Sequence, residues 1–214
     1  MRTQQKTGQL RIIGGRWRSR KLVFPDVEGL RPTPDRVRET VFNWLQPVVP
    51  GACCLDLFAG SGALGLEALS RGARRTVFVD QDAAAARSVR EHLTTLDVTD
   101  AQVVQSDVLA YLQGGCFRHP DALERPSLHG VPQCFDVVFI DPPYRHYDLL
   151  QACCAHLEAG DWLALSAYIY LETESSRDVP PLPPNWKVIR SKKAGQVGYH
   201  LALREAPNKP RSAE

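Results

Sequence analysis

No stretch of this 214-residue chain approaches the ~20 consecutive apolar residues that a membrane-spanning helix needs. The opening residues, Met1-Arg-Thr-Gln-Gln-Lys6, are polar and lead into no apolar core of the kind that directs secretion, so a cytoplasmic protein is expected. The six cysteines are arranged in no redox or metal motif. Cys53, Cys54, Cys116, Cys134, Cys153 and Cys154 contain no Cys-x-x-Cys pair, and the two adjacent pairs lie in apolar surroundings, which predicts buried, reduced thiols. Cys116, His119, His129 and Cys134 have zinc-compatible side chains, but their spacing matches no common zinc module and no metal is expected. There is no internal repeat, and the ordinary composition, 43% hydrophobic and 23% charged, fits a single globular domain with a small extension.

Charge is present in an uneven pattern. The formal net charge is only +2, yet residues 1–40 carry a balance of +6, residues 187–214 one of +5, and the stretch between them −9. Basic ends around an acidic centre point to a polyanion held at the rim and a different ligand in the middle.

Apolar periodicity places a small basic hairpin first. Two apolar runs flank Gly14-Gly15, and Arg16, Arg18, Arg20 and Lys21 lie in or beside them. Arg31-Pro-Thr-Pro-Asp-Arg36 then reads as a turn into a helix, with Thr33 or Asp35 as its cap and Val37, Val41, Phe42 and Leu45 as its apolar face. Strands over 53–57, 76–80, 102–105, 135–140 and 168–172 alternate with helices over 63–70, 83–96, 109–112 and 147–157. Such alternation predicts a parallel sheet covered on both faces. The apolar runs 186–189 and 199–203 flank Ala194-Gly-Gln-Val-Gly198 and read as a closing antiparallel hairpin. Residues 114–134 form a long aperiodic loop, Pro180–Pro184 a stiff connection, and 206–214 a tail. The expected units are a hairpin extension over 1–30, a main domain over 31–205 and the tail.

Two motifs carry chemistry. Leu55-Asp-Leu-Phe-Ala-Gly-Ser-Gly-Ala-Leu-Gly65 follows a strand, opens a helix and fits Gly-x-Gly-x-x-Gly, with Asp80 twenty residues after Gly60 at the end of the next strand, where it suits a ribose. A dinucleotide would set its pyrophosphate on that helix start. Asp56 repels pyrophosphate but favours the amino group and sulfonium of S-adenosylmethionine, and Asp107 beyond the third strand is placed for the adenine amine. Phe58 and Ser61 complete the candidate cofactor loop. The second motif, Asp141-Pro-Pro-Tyr144, ends an apolar strand in a carboxylate, two prolines without N–H donors and an aromatic ring. Asp141 and the Pro142 carbonyl can accept both N–H bonds of a nucleobase amine and draw its lone pair out of conjugation, while Tyr144 stacks on the base. Four carboxylates, Asp56, Asp80, Asp107 and Asp141, thus fall at the carboxyl ends of four strands, which suits a cationic cofactor.

Arg11-Ile-Ile-Gly-Gly-Arg-Trp-Arg-Ser-Arg-Lys-Leu22, Leu30-Arg-Pro-Thr-Pro-Asp-Arg-Val-Arg-Glu-Thr-Val-Phe-Asn-Trp44, the glycine loop, Phe139-Ile-Asp-Pro-Pro-Tyr144 and Ala194-Gly-Gln-Val-Gly-Tyr199 together resemble the bacterial RsmD family. The resemblance runs over nearly the whole chain. It implies a Rossmann-like class I S-adenosylmethionine-dependent methyltransferase, α/β, with a seven-stranded mostly parallel sheet. It implies methylation of the N2 amine of one guanine (guanine-966) of 16S rRNA, in the small ribosomal subunit or its assembly intermediate; a monomer is expected. It further implies that Asp56, Gly60, Gly62, Asp80 and Asp107 hold the cofactor, that Asp141, Pro142 and Tyr144 hold the guanine, and that the 31–39 segment lies over the site. The candidate RNA contacts are Arg16, Arg18, Arg20, Lys21, Arg31 and Arg36. Tyr144 stands where many relatives carry phenylalanine. The competing readings are a DNA adenine-N6 methyltransferase, disfavoured because the chain has little room for a target-recognition domain, and a non-catalytic ribosome assembly factor that keeps the fold.

Overall fold

The computed structural model describes residues 7–25, 33–114, 134–142 and 147–205. Strands β1 (Thr7–Arg11) and β2 (Lys21–Pro25) pair antiparallel. Then follow α1 (Asp35–Trp44), β3 (Cys53–Leu57), α2 (Ala63–Ser70), β4 (Arg75–Asp80), α3 (Ala83–Thr95), β5 (Ala101–Gln105), α4 (Val108–Gln113), β6 (Phe135–Ile140), α5 (Tyr147–Ala159), β7 (Leu163–Glu174), β8 (Trp186–Ala194) and β9 (Val197–Glu205). The main sheet runs β5-β4-β3-β6-β7-β9-β8; its first five strands are parallel and β9 pairs antiparallel with both neighbours. The sheet is therefore seven-stranded and mostly parallel, closed by an antiparallel hairpin, as expected from the alternation of apolar runs.

Both faces of the central strands are buried, because successive side chains point to opposite sides and each side meets helices. Val138 and Ile140 join Leu55, Leu57, Val77 and Val79 against α4 and α5. On the other face Val137 and Phe139 meet Val37, Val41 and Phe42 of α1 and Leu45 just beyond it. A third cluster gathers Leu10, Ile12, Trp17, Leu22 and Phe24 of the hairpin with Leu66 of α2, Phe78 of β4 and Val89 of α3.

Several local expectations change. Gly14-Gly15 is no tight hairpin turn: β1 ends at Arg11, β2 begins at Lys21, and a single 3-10 turn at Gly15–Trp17 lies between them. Gly15 has φ +74° and presses on α2 so closely that a Cβ there would stand 1.8 Å from the Ser70 carbonyl oxygen. The glycine pair serves docking instead. Neither Thr33 nor Asp35 caps α1; Pro34 occupies that position and makes no side-chain bond, while the Asp35 carboxylate turns to Arg38 and Arg11. The strand predicted to end at 189 runs on to Ala194, with Arg190, Lys192 and Lys193 exposed. An edge strand has one partner only, so polar residues continue it without an apolar signature. The strand predicted over 168–172 likewise extends over Leu163–Glu174.

One buried ion cluster ties these pieces together. Glu67, on the wholly buried α2, accepts the Ile13 and Gly14 backbone N–H groups at 2.8 Å each and Arg71 Nε at 2.7 Å. Arg38 of α1, 1% exposed, reaches to 3.7 Å of the same carboxylate and donates from Nη2 to the Arg11 carbonyl at 2.8 Å and to Asp35 at 2.6 Å. Removing one partner of a buried pair strands the others in a low dielectric, which costs about 3–5 kcal/mol. Glu67→Ala is therefore expected to lose about that much in denaturant unfolding, whereas Arg18→Ala, at an exposed site, stays within about 0.5 kcal/mol. A loss below about 1 kcal/mol for Glu67→Ala would show that hairpin docking does not depend on this carboxylate.

Candidate active site

The four carboxylates singled out in the sequence fall on adjacent strands in spatial order. Asp107 follows β5, Asp80 ends β4, Asp56 lies in β3 and Asp141 follows β6. Between β3 and β6 the strand order reverses, and ligands of open α/β sheets bind at such a switch point. The register adds depth. Asp56 pairs with Phe78 on one side and Phe139 on the other, two residues before Asp80 and Asp141. At ~3.3 Å per residue it lies ~7 Å below them, at the floor of the crevice that such sheets form outside their carboxyl ends at a switch point.

The loop rising from this floor is shaped by left-handed backbone. Phe58, Gly60 and Gly62 have φ of +64°, +53° and +77°. At Phe58, half-buried against the core, that conformation costs on the order of 1–2 kcal/mol and is the kind of strain that clusters at functional sites. Ser61 is buried and Gly60 half-buried. Gly65 meets a different demand: a Cβ there would sit 2.2 Å from the Phe78 ring, so only glycine lets α2 pack this close to the sheet.

Each carboxylate already has a partner within the chain. Asp56 accepts the Gly65 N–H at 2.8 Å and so caps α2 from below. Burial, with Asp80 adding like charge, pushes its carboxyl up to about 8. The Gly65 N–H at the start of α2 is thus already taken by a carboxyl of the chain itself, which competes with any pyrophosphate for that helix end. Asp80 takes the Gly60 N–H at 2.7 Å on one oxygen and the Asp82 N–H at 2.8 Å on the other. Each carboxylate oxygen has a second lone pair, so both remain able to accept a hydroxyl. Asp107 caps α4 through the Ala110 N–H at 2.9 Å and is exposed. Asp141 accepts the Thr33 hydroxyl at 3.2 Å. Its carboxyl is raised well above the ordinary carboxylate value by burial first, then by Glu172 and Asp56, against the lowering effect of the Thr33 hydrogen bond. Pro142 is buried beside it, and Tyr144 lies outside the described residues.

The described candidate RNA contacts lie on the surface. Arg16, Arg18, Arg20, Lys21 and Arg36 are all exposed, Arg16 with its guanidinium 4.2 Å over the Trp17 ring. Arg31 lies outside the described residues, as do Cys116, His119, His129 and His146. Cys134 is half-buried and donates to the Asp161 carbonyl. His200 is buried between the Ser191 and Thr173 hydroxyls, at 2.7 and 3.3 Å, a satisfied core histidine.

Four residues in or behind the site carry roles that the sequence did not reveal: Thr33, Arg38, Glu67 and Glu172. Two had a signal. Arg38 falls four residues before Phe42, on the apolar stripe of α1, and Glu67 interrupts a helix that has no polar face; a charge in either position implies a buried partner. Glu172 stands in the buried part of β7 and accepts the Tyr170 hydroxyl at 2.7 Å.

The family model described as "Conserved hypothetical protein 95" matches residues 10–203. The chain is 48% identical over 200 residues to "Ribosomal RNA small subunit methyltransferase D" of Escherichia coli K12, covering 94% of this chain and 92% of that one. To the protein of the same name from Haemophilus influenzae it is 42% identical over 204 residues, covering 94% and 97%. Among solved structures, a candidate methyltransferase of Escherichia coli, yhhF, superposes with a TM-score of 0.80 at 45% identity, over 94% of this chain and all of that one. The similarity thus spans the hairpin, the glycine loop and the switch-point strands alike, and the chain belongs to the RsmD family, with the Rossmann-like fold of S-adenosylmethionine-dependent methyltransferases.

Proposed function

We propose that this protein methylates the exocyclic N2 amine of a guanine, guanine-966, in 16S rRNA of the small ribosomal subunit, with S-adenosylmethionine as donor. The observation that carries the reading is the row of carboxylates at the switch point, with Asp141 and Pro142 at the end of β6 beside a buried acidic floor. The names of the relatives, which are rRNA small subunit methyltransferases, support the class of reaction and substrate. The donor residues fit the cofactor. Asp56 supplies negative potential for a sulfonium and an ammonium, Asp80 has free lone pairs for two ribose hydroxyls, and Asp107 stands where an adenine amine would lie. Phe58, Gly60, Ser61 and Gly62 form the loop that would cover it. When bound, the cofactor supplies an electrophilic methyl group.

The chain does the rest by positioning. Asp141 and the Pro142 carbonyl accept the two amine hydrogens, which rehybridises the nitrogen and holds its lone pair in line with the methyl carbon. As the nitrogen becomes positive these acceptors bind it more strongly, so they stabilise the transition state over the ground state, and the proton that the methylated nitrogen sheds passes to Asp141 or to solvent. Tyr144 stacks on the base. Arg16, Arg18, Arg20, Lys21, Arg31 and Arg36 hold phosphates, which position the RNA without reading its sequence. A DNA adenine-N6 activity has no feature in its favour beyond the Asp-Pro-Pro-Tyr motif itself.

Three outcomes are expected. Incubated with labelled S-adenosylmethionine, the protein transfers methyl to guanine N2 of small-subunit particles, and Asp141→Ala abolishes transfer while cofactor binding persists. Methyl-adenine in DNA, or transfer surviving in Asp141→Ala, would overturn the reading. Cofactor binding, measured by calorimetry, tightens as pH rises toward about 8 by up to about tenfold per unit, because a cation beside Asp56 selects its ionised form and expels the proton. S-adenosylhomocysteine, without the sulfonium charge, shows a shallower dependence; pH-independent binding of the methyl donor would remove Asp56 from the site. Replacing Arg16, Arg18, Arg20 and Lys21 with Gln flattens the slope of log affinity for the particles against log salt by about 0.7–0.9 for each phosphate no longer neutralised, and an unchanged slope would take the hairpin off the RNA.

A further inference from the structure

Thr33 stands just ahead of α1, buried at 5% exposure, where a threonine would ordinarily cap the helix. It does not cap. Its hydroxyl reaches across 108 residues of sequence to donate to Asp141 Oδ2 at 3.2 Å. Its carbonyl accepts Arg38 Nε at 3.2 Å. Arg38 in turn is gripped by the Arg11 carbonyl and Asp35 and faces Glu67, the carboxylate that also holds the Ile13 and Gly14 amides. The place of the Thr33 hydroxyl is therefore set by the same cluster that docks the basic hairpin.

The rotation of an aspartate carboxylate about its last bond is soft, with broad minima. A single donor on Oδ2 removes that freedom and leaves Oδ1 to accept from the substrate amine. It also favours the ionised carboxylate, the only form in which both oxygens accept without a proton between them. The other groups that act on Asp141 are anionic: Glu172 from β7 and Asp56 from β3. Among the described residues, the Thr33 hydroxyl is the side-chain donor that bonds it.

We propose that Thr33, held by Arg38, is a positioning residue for Asp141, so that the orientation of the carboxylate that receives the substrate amine is set by the residue that stands just ahead of α1. The proposal rests on Asp141 being the group that receives the amine.

Thr33→Val keeps the volume and removes the donor; Thr33→Ser keeps the donor. With small-subunit particles as substrate, Thr33→Val is expected to lower kcat about tenfold, the scale of one hydrogen bond to a charged group, with KM for S-adenosylmethionine and for particles within about twofold. Its acid limb moves to higher pH, because the bond that held the Asp141 carboxyl down is gone, and Thr33→Ser restores both. The second arm needs no activity: the carboxyl-carbon resonance of Asp141, assigned with Asp141→Asn, titrates at higher pH in Thr33→Val than in the parent and returns in Thr33→Ser. A Thr33→Val protein that is less stable but keeps the parental pH limb and Asp141 titration overturns the proposal. Absence of methyl transfer by the parent protein overturns the functional reading instead, and the titration alone then decides whether Thr33 sets Asp141.

Discussion

The structure turns on a carboxylate that has no access to water. Glu67 lies on a helix buried along its whole length, and burying an isolated anion there would be prohibitive. It is made tolerable by two backbone amides of the hairpin connection, by Arg71 and by the facing Arg38. The consequence is geometric. Once Glu67 is satisfied, the connection between β1 and β2 has one place to sit on α2, and α1 must start where Arg38 can reach Asp35, the Arg11 carbonyl and the Thr33 carbonyl together. Three segments are thereby fixed relative to one another, and Thr33, just ahead of α1, carries the link on to Asp141.

Charge is sorted by depth. The crevice is acidic at its floor, where Asp56 is buried beneath Asp80 and Asp141, and the basic side chains Arg16, Arg18, Arg20, Lys21 and Arg36 lie exposed. Such a separation suits two ligands of opposite charge: a small cation drawn into the crevice and a polyanion kept on the outside. It also explains why the glycine loop, which resembles dinucleotide fingerprints, does not act as one. In those sites the helix start meets phosphate; here the chain's own Asp56 already occupies it. The family's fold is shared by many activities, so the functional argument lives in these side chains and not in the sheet.

Much of the architecture was legible in the sequence because it depends on periodicity. The central strands are buried on both faces and read as unbroken apolar runs, and their helices follow at regular intervals, so element order and the parallel core came through. The edge strand β8 came through only in part, since Arg190, Lys192 and Lys193 satisfy an edge ladder without any apolar pattern. Gly14-Gly15 was legible as a special backbone but not as a docking point, because the neighbour that demands glycine, the Ser70 carbonyl, belongs to another element.

The candidate site divides the same way. The sequence by itself determined the residue types and their strand ends: the glycine loop, Asp56, Asp80, Asp107, Asp141 and Pro142, since each is adjacent to a local signal of strand, turn or cap. Only the tertiary structure decided what those carboxylates bond to and how deep they lie. Register put Asp56 two residues beneath its neighbours, helix packing made it the cap of α2, and a contact across 108 residues turned Thr33 from a predicted cap into the donor on Asp141. Local patterns report the chain's own hydrogen-bonding needs, whereas the partner of a buried polar group is chosen by whatever the fold brings within reach.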